Sequence, residues 1–244
     1  MENGKPAGTI GHIGVFSLNV HKHIQTGEGG LCVTNNDDLA LRMQLIRNHG
    51  ENVVGDVEIA EIANTPGLNF RMTELSAAVG VGQIERAEEI IGGRVAIAER
   101  LTAGIGQIEG FKVPAVRSDC SHVYYVWTAD MDPDALGISR ETLLAALHAE
   151  GVPAAGGYVP PLYRLPMFRE RRAIGRDGFP FAGSNRSYAD GLCPVAERLH
   201  ETGFVTYEIC GFDPDPDQLD QMVAAFHKVF EGREKLAAWE REQA

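Results

Sequence analysis

The stretch "GVFSLNVHKHIQTGEGGLCVT", Gly14 to Thr34, gathers residues able to do chemistry. Lys22 stands between His21 and His23, five residues before Gly27-Glu28-Gly29-Gly30, and Ser17 lies five residues upstream of it. A lysine set among glycines can approach a flat ligand closely, because no side chains stand in the way. A partly desolvated ammonium gives up its proton more readily, and the neutral amine attacks an aldehyde. Ser17 adds a hydroxyl suited to a phosphate. The plain alternative for Lys22 is a solvated cation near a turn, and residue type alone leaves both readings open. His12, His21, His23 and His49 invite a metal reading, yet they lack the i, i+4 or paired-cysteine spacing of zinc sites. No metal is expected, and His122 and His227 read as ordinary polar residues.

The elements that must position these groups follow from periodicity. "IGVFSL" predicts a short buried strand and "GLCVT" a second, with the glycine-rich turn between them. "NNDDLALRMQLIRNHG" predicts a helix capped by Asn36 or Asp37, with Leu39, Met43 and Ile46 on one face and Gly50 at its end. Residues Glu51 to Pro66 are polar and poorly periodic, a loop. From Thr73 a capped helix carries Leu75, Ala78, Val79, Ile84, Ala87 and Ile91 on its apolar stripe. Its small residues (Ala77, Ala78, Gly80 and Gly82) suit close packing on a neighbour. The pair Gly92-Gly93 predicts a break before a second helix over about Val95 to Ile108. Near Pro114 the texture changes. "HVYYVWTADM" reads as a strand, "SRETLLAALHAEG" as a capped helix, "GFVTYEICGF" as a strand and "DPDQLDQMVAAFHKVF" as a closing helix. A charged tail follows.

At 244 residues the chain is long enough for one large domain or two modest ones. A net charge of −12 argues against nucleic acid and against an anionic membrane surface, since both need a dominant basic face. The one basic cluster, "RLPMFRERRAIGR" from Arg164 to Arg176, reads either as a solvated loop or as an anion or sugar-phosphate contact. Cys32, Cys120, Cys193 and Cys210 form no C-x-x-C pair and fit buried thiols in a reducing compartment. No apolar run approaches the roughly 18 residues of a membrane span. Nor does the first stretch resemble a signal peptide, so a cytoplasmic location is expected.

Four stretches now combine: "FSLNVHKHIQTGEGG", "LIRNHG", "GLNFRMTELSAAVGVGQI" and "CPVAERL". Together they resemble the DegT/DnrJ/StrS family of sugar aminotransferases, pyridoxal-phosphate enzymes of the aspartate-aminotransferase fold (fold type I). The family carries a segment like FSF-x3-K-x4-GEGG, matched here position by position, and the likeness runs from Gly8 to about Phe230. It implies an α/β chain with a partial cofactor-binding large domain over 1–112, a small α/β domain over 113–230 and a charged tail over 231–244. Lys22 would be the Schiff-base lysine, holding pyridoxal phosphate and moving protons between Cα and C4′. Ser17 would bond the cofactor phosphate, and Asn69 would reach the phosphate of the other subunit across a homodimer interface. Glu28 either closes a turn or touches substrate, while Tyr158, Tyr163 and Arg164 would border the sugar pocket. Lysine at position 22, where some relatives carry histidine and dehydrate, implies amino transfer from glutamate or glutamine to a keto-sugar or keto-cyclitol.

In the family, a glycine/threonine-rich phosphate loop, a group against the cofactor ring and an aspartate for the pyridine nitrogen precede the lysine strand. None has a counterpart before Gly14. The resemblance therefore implies a C-terminal portion: a fragment, half of a split enzyme with a separate N-terminal partner, or a misassigned start. The reading of another class is a catalytically incomplete interaction module that retains the dimer-forming helices and the small domain.

Overall fold

The computed structural model describes residues 1–50 and 66–243, so the expected loop lies outside the described residues except for Pro66. The chain divides into two compact units, Met1–Val95 with Val116–Tyr125, and Ala96–Ala115 with Val126–Ala244.

In the first unit, β1 (Gly14–Ser17) and β2 (Gly30–Val33) form an antiparallel hairpin with Gly14 opposite Val33 and Ser17 opposite Gly30. The expectation of a buried strand is corrected here. Val15 is 72% exposed, and Phe16, Leu31 and Val33 are exposed as well. An apolar strand buries a face only where another layer covers it. Phe16 leans on Gly8, where even a Cβ would come within 2.5 Å of the ring; the other apolar side chains stay open.

Helix α1 (Asp37–Arg47) starts as its cap dictates, with the Asn36 side chain accepting from Leu39 N. Its buried residue is Leu45 rather than the expected Ile46, which is 40% exposed. The turn beyond it explains the choice. His49 and Gly50 both adopt positive φ, and Gly50 N donates back to Leu45 O at 2.7 Å, folding the chain over that side of the helix.

Helix α2 (Glu74–Glu85) is capped by Thr73, whose side chain accepts from Ser76 N. The break falls at Arg86, and α3 (Ala87–Ile105) runs straight through Gly92-Gly93. Each glycine costs a helix about 1 kcal/mol relative to alanine, which weakens but does not forbid it. Burial of Ile97, Ala98, Leu101 and Ile105 outweighs that cost.

The second unit holds a four-stranded antiparallel sheet in the order β3 (Phe111–Lys112), β4 (Trp127–Met131), β6 (Phe204–Tyr207), β5 (Ala155–Gly156). β4 alternates as a half-buried strand should, with Trp127, Ala129 and Met131 inward. It is shorter than expected. Tyr124 takes φ +52, which a strand cannot accommodate, and its N–H is held by His122 Nδ1 at 2.8 Å. Short helices α4 (Pro133–Leu136), α6 (Pro166–Arg169) and α7 (Pro194–Arg198) punctuate the loops. Longer ones form the layer: α5 (Arg140–Ala149), α8 (Pro216–Glu231) and α9 (Arg233–Gln243). α8 opens on a capping box between Asp215 and Gln218 and buries Leu219, Met222, Ala225, Phe226 and Val229, a helical stripe. Phe226 meets Phe111 edge-to-face at 5.8 Å. α3 and α8 cross at Gly104, where a Cβ would come within 2.5 Å of Val223.

None of the four cysteines is buried, contrary to expectation; Cys32 and Cys193 are exposed and Cys120 and Cys210 half-buried, and none forms a disulfide. Cys32 sits on the open hairpin, which accounts for its exposure. Among the described residues no helix is long and apolar enough to cross a membrane.

Candidate active site

The hairpin ends in a turn, Leu18 to Gly29, that hydrogen bonds to Asn19 organise. Asn19 N donates to Ser17 Oγ at 3.3 Å, and Asn19 Oδ1 accepts from His21 N at 3.1 Å. Asn19 O accepts from Lys22 N at 2.9 Å, and Asn19 Nδ2 donates to Glu28 Oε1 at 2.9 Å. One asparagine thus ties together Ser17, Lys22 and Glu28. Sequence reading passed over it; the signal available was an Asn just past a strand, a residue prone to bonding backbone two residues on. Glu28 is thereby bonded across the turn.

Behind the turn, Thr26 is buried and donates to Glu28 O at 2.9 Å, while its amide bonds Leu18 O. Gly29 takes φ +156 and a Cβ there would lie 2.8 Å from Thr26 Oγ1 and 2.9 Å from Met72, so glycine is required. α2 backs Thr26 at Gly80, where a Cβ would sit 3.2 Å from Thr26 Cγ2. That is the close packing its small residues suggested, although Gly82 faces open space.

The Lys22 ammonium rests over the Tyr125 ring, 3.8 Å from its centroid, a cation–π contact. His23 Nε2 bonds Val123 O at 2.7 Å in the segment that carries Tyr125. Tyr125 is the second residue that sequence reading missed, since nothing local links it to a lysine a hundred positions earlier. Asn69 lies on a separate strap: it bridges to Asn48, and its Oδ1 accepts from Arg71 N at 3.4 Å. Among the described residues no hydrogen bond joins Asn69 to Ser17, Lys22 or Glu28.

Tyr158, Tyr163 and Arg164 belong to the second unit. Tyr158 is 45% exposed with φ +52. The Tyr163 hydroxyl donates to Glu197, a buried carboxylate that also accepts from Gly191 N at 2.8 and 2.9 Å. Those donors hold the Glu197 carboxyl below its ordinary range, the Tyr163 bond foremost. Burial, then the Glu197 bond, pushes the Tyr163 phenol up. Arg164 pairs with Glu201 at 2.6 Å and Asp190 at 2.8 Å, with Glu197 at 3.6 Å. Its charge is therefore matched by carboxylates of its own unit.

Solved aminotransferases share this fold. S. venezuelae DesV, solved with a ketimine intermediate, aligns at TM-score 0.74 and 22% identity over 94% of this chain and 54% of its own. An aminotransferase from Psychrobacter cryohalolentis aligns at TM-score 0.77 and 25% identity over 96% and 60%. The family model of the DegT/DnrJ/EryC1/StrS aminotransferases matches residues 1–197, and the chain belongs to that family. Among curated relatives, a putative L-glutamine:3-amino-2,3-dideoxy-scyllo-inosose aminotransferase of Streptomyces kanamyceticus is 33% identical over 77% of this chain and 48% of its own. GDP-perosamine synthase of Caulobacter vibrioides is 32% identical over 68% and 43%. The chain spans about half the length of the curated relatives it matches.

Proposed function

We propose that Lys22 is the reactive amine of a pyridoxal-phosphate aminotransferase that acts on a keto-sugar or keto-cyclitol. The carrying observation is the Asn19-centred turn, which holds Ser17, Lys22 and Glu28 in one hydrogen-bonded frame within the family-matched region. The residues present fit the cofactor in kind. The primary amine lies over an aromatic ring, and the nearby serine oxygen accepts one bond with its proton left to donate.

Pyridoxal phosphate, when bound, supplies an aldehyde carbon and an electron-withdrawing ring. Lys22 Nζ is the amine that would hold that aldehyde carbon, and its ammonium and amine forms would serve as general acid and base. Ser17 Oγ, with its proton free to donate, would hold the phosphate. Asn19 keeps Lys22 in register by accepting its backbone N–H, and Tyr125 gives the ammonium a defined resting place. In this reading Asn69 would serve the phosphate of a second copy, and Tyr158, Tyr163 and Arg164 would contact substrate. The names of relatives that take the amino group from L-glutamine support glutamine as donor. The homodimer draws support from α2, whose Leu75, Val79, Val81 and Ile84 are 83, 53, 61 and 57% exposed. That same open apolar surface favours the second reading, an interaction module.

Incubation with glutamine, pyridoxal phosphate and a panel of keto-cyclitols and nucleotide keto-sugars tests the proposal. Amination of one class, lost in Lys22→Ala, is the expected result. Transfer that survives in Lys22→Ala overturns it.

A further inference from the structure

The basic cluster of the Leu162–Pro194 segment is not absorbed by the amine chemistry of Lys22. Arg169, Arg171 and Arg186 line one open cavity of about 340 Å³ together with Ser187, Tyr188 and Ala189. That volume falls at the small end of the range for small-molecule sites.

The wall is built on a fixed base. Phe168, Phe181 and Tyr188 pack ring against ring at 5.6 to 5.9 Å. Arg171 adopts φ +57, uncommon for a side-chain-bearing residue, and straps the segment by donating to Phe181 O at 3.2 Å and Arg186 O at 3.3 Å. Both acceptors are neutral carbonyls, so the bonds hold the guanidinium without cancelling its charge. Among the described residues the Arg186 guanidinium has no hydrogen bond or ion pair, and Arg171 has no carboxylate partner. Arg169 has one, Asp190 at 2.5 Å, which it shares with Arg164. Ser187 Oγ accepts from Ala189 N at 3.3 Å and keeps its proton to donate.

Three guanidiniums thus face one shared carboxylate, in a chain whose overall charge is −12. The larger cleft of the second unit, about 750 Å³ beside β4, offers a contrast. There Arg198 is already bidentate to Asp130 at 2.6 and 2.9 Å, with Asp132 and Asp134 alongside. Lys112 also lines that cleft, but its three carboxylates outnumber its two cations, whereas in the smaller cavity the cations are in excess.

We propose that the cavity of Arg169, Arg171 and Arg186 is an anion site that takes a diphosphate group. Planar guanidinium forks match phosphoryl oxygens bidentately, and two uncompensated cations suit an anion of charge −2 or more. The cavity's small size and the acidic remainder of the surface exclude a nucleic-acid strand. The group can come from free pyrophosphate or from a nucleoside diphosphate carrier. The site stands whether or not Lys22 is the reactive amine.

Isothermal titration of the full chain at low ionic strength tests this, with inorganic phosphate, inorganic pyrophosphate and UDP as separate probes. Expected are saturable pyrophosphate binding, weaker phosphate binding, and loss of both as salt rises. Arg186→Gln removes an exposed side chain that holds no other group, so the fold is kept. It should weaken pyrophosphate about tenfold, roughly 1.4 kcal/mol, and Arg186→Glu more. Arg171→Gln, checked for folding by circular dichroism, should weaken it similarly. UDP binding about tenfold tighter than pyrophosphate assigns the nucleoside source, and equal binding the free one. Absence of saturable binding overturns the proposal. So does pyrophosphate affinity unchanged in both Arg186 variants, or lost in Lys22→Ala instead.

Discussion

Replacing Asn19 by alanine tests how the reactive turn is held. The change deletes the bond from Nδ2 to Glu28 Oε1 and the bond from His21 N to Oδ1, and leaves the backbone bond to Lys22 N in place. A neutral hydrogen bond contributes about 1 kcal/mol net, and one to a charged group about 1.5–3. The turn is exposed, so the lower ends apply, and the sum is about 2 kcal/mol. If pyridoxal phosphate binds only the closed turn, its affinity falls by at most about thirtyfold. Absorbance titration reads that loss, and amide exchange at His21 and Lys22 reads the loosening independently of any cofactor. Asn19→Asp separates the two bonds. It keeps the acceptor for His21 N but sets a second carboxylate beside Glu28, so it should also weaken binding. Adding Glu28→Gln removes the repulsion and should recover much of the loss. Wild-type affinity in Asn19→Ala, together with unchanged His21 exchange, would refute the claim that Asn19 organises the turn.

Other consequences are equally concrete. In Gly203→Ala the new methyl lies 2.5 Å from Asp130 Oδ1 and 2.8 Å from Arg198 Nη1. Both side chains can yield, so the cost is about 1 kcal/mol, or about 2–4 °C in melting temperature, read by calorimetry. Glu197 has a folded pKa depressed by its donors, so its contribution is complete above the ordinary carboxylate value of about 4.3 and is lost as pH falls through the folded value. The melting temperature of the native chain should therefore drop more steeply in that acid window than that of Glu197→Gln; parallel curves would contradict the assignment. Leu75→Glu with Val79→Glu puts charge on the open apolar surface of α2, and sedimentation should then shift from self-associated species toward monomer.

Much of this was legible in the sequence because it is local. The caps of α1, α2 and α8 are set by Asn36, Thr73 and Asp215, and each operates within three residues of its partner. The Ser17–Lys22–Glu28 spacing is local as well. What the sequence hid depends on contacts far along the chain. Gly92-Gly93 looked like a break, yet tertiary burial of the α3 stripe overrides a propensity deficit of about 2 kcal/mol. β4 lost its first residues to the positive φ of Tyr124, which no β-branched or aromatic pattern announces. Leu45 displaced Ile46 because the Gly50 turn selects the helix face that is covered. Tyr125 reaches Lys22 across a hundred residues, and Arg171 and Arg186 meet only because the intervening loop closes on itself. At the hairpin, period-2 reading identified the strands but not their exposure, since burial depends on the layer above them.

The central claim, that Lys22 is the reactive amine, is tested most directly by chemistry at its side chain. Borohydride reduction of the full chain in the presence of pyridoxal phosphate, followed by peptide mapping, reports which amine the aldehyde reached. The expected result is a phosphopyridoxyl label on Lys22, absent from Lys22→Ala. A label on Lys5, Lys112, Lys228 or Lys235 instead, or undiminished labelling of Lys22→Ala, would contradict it.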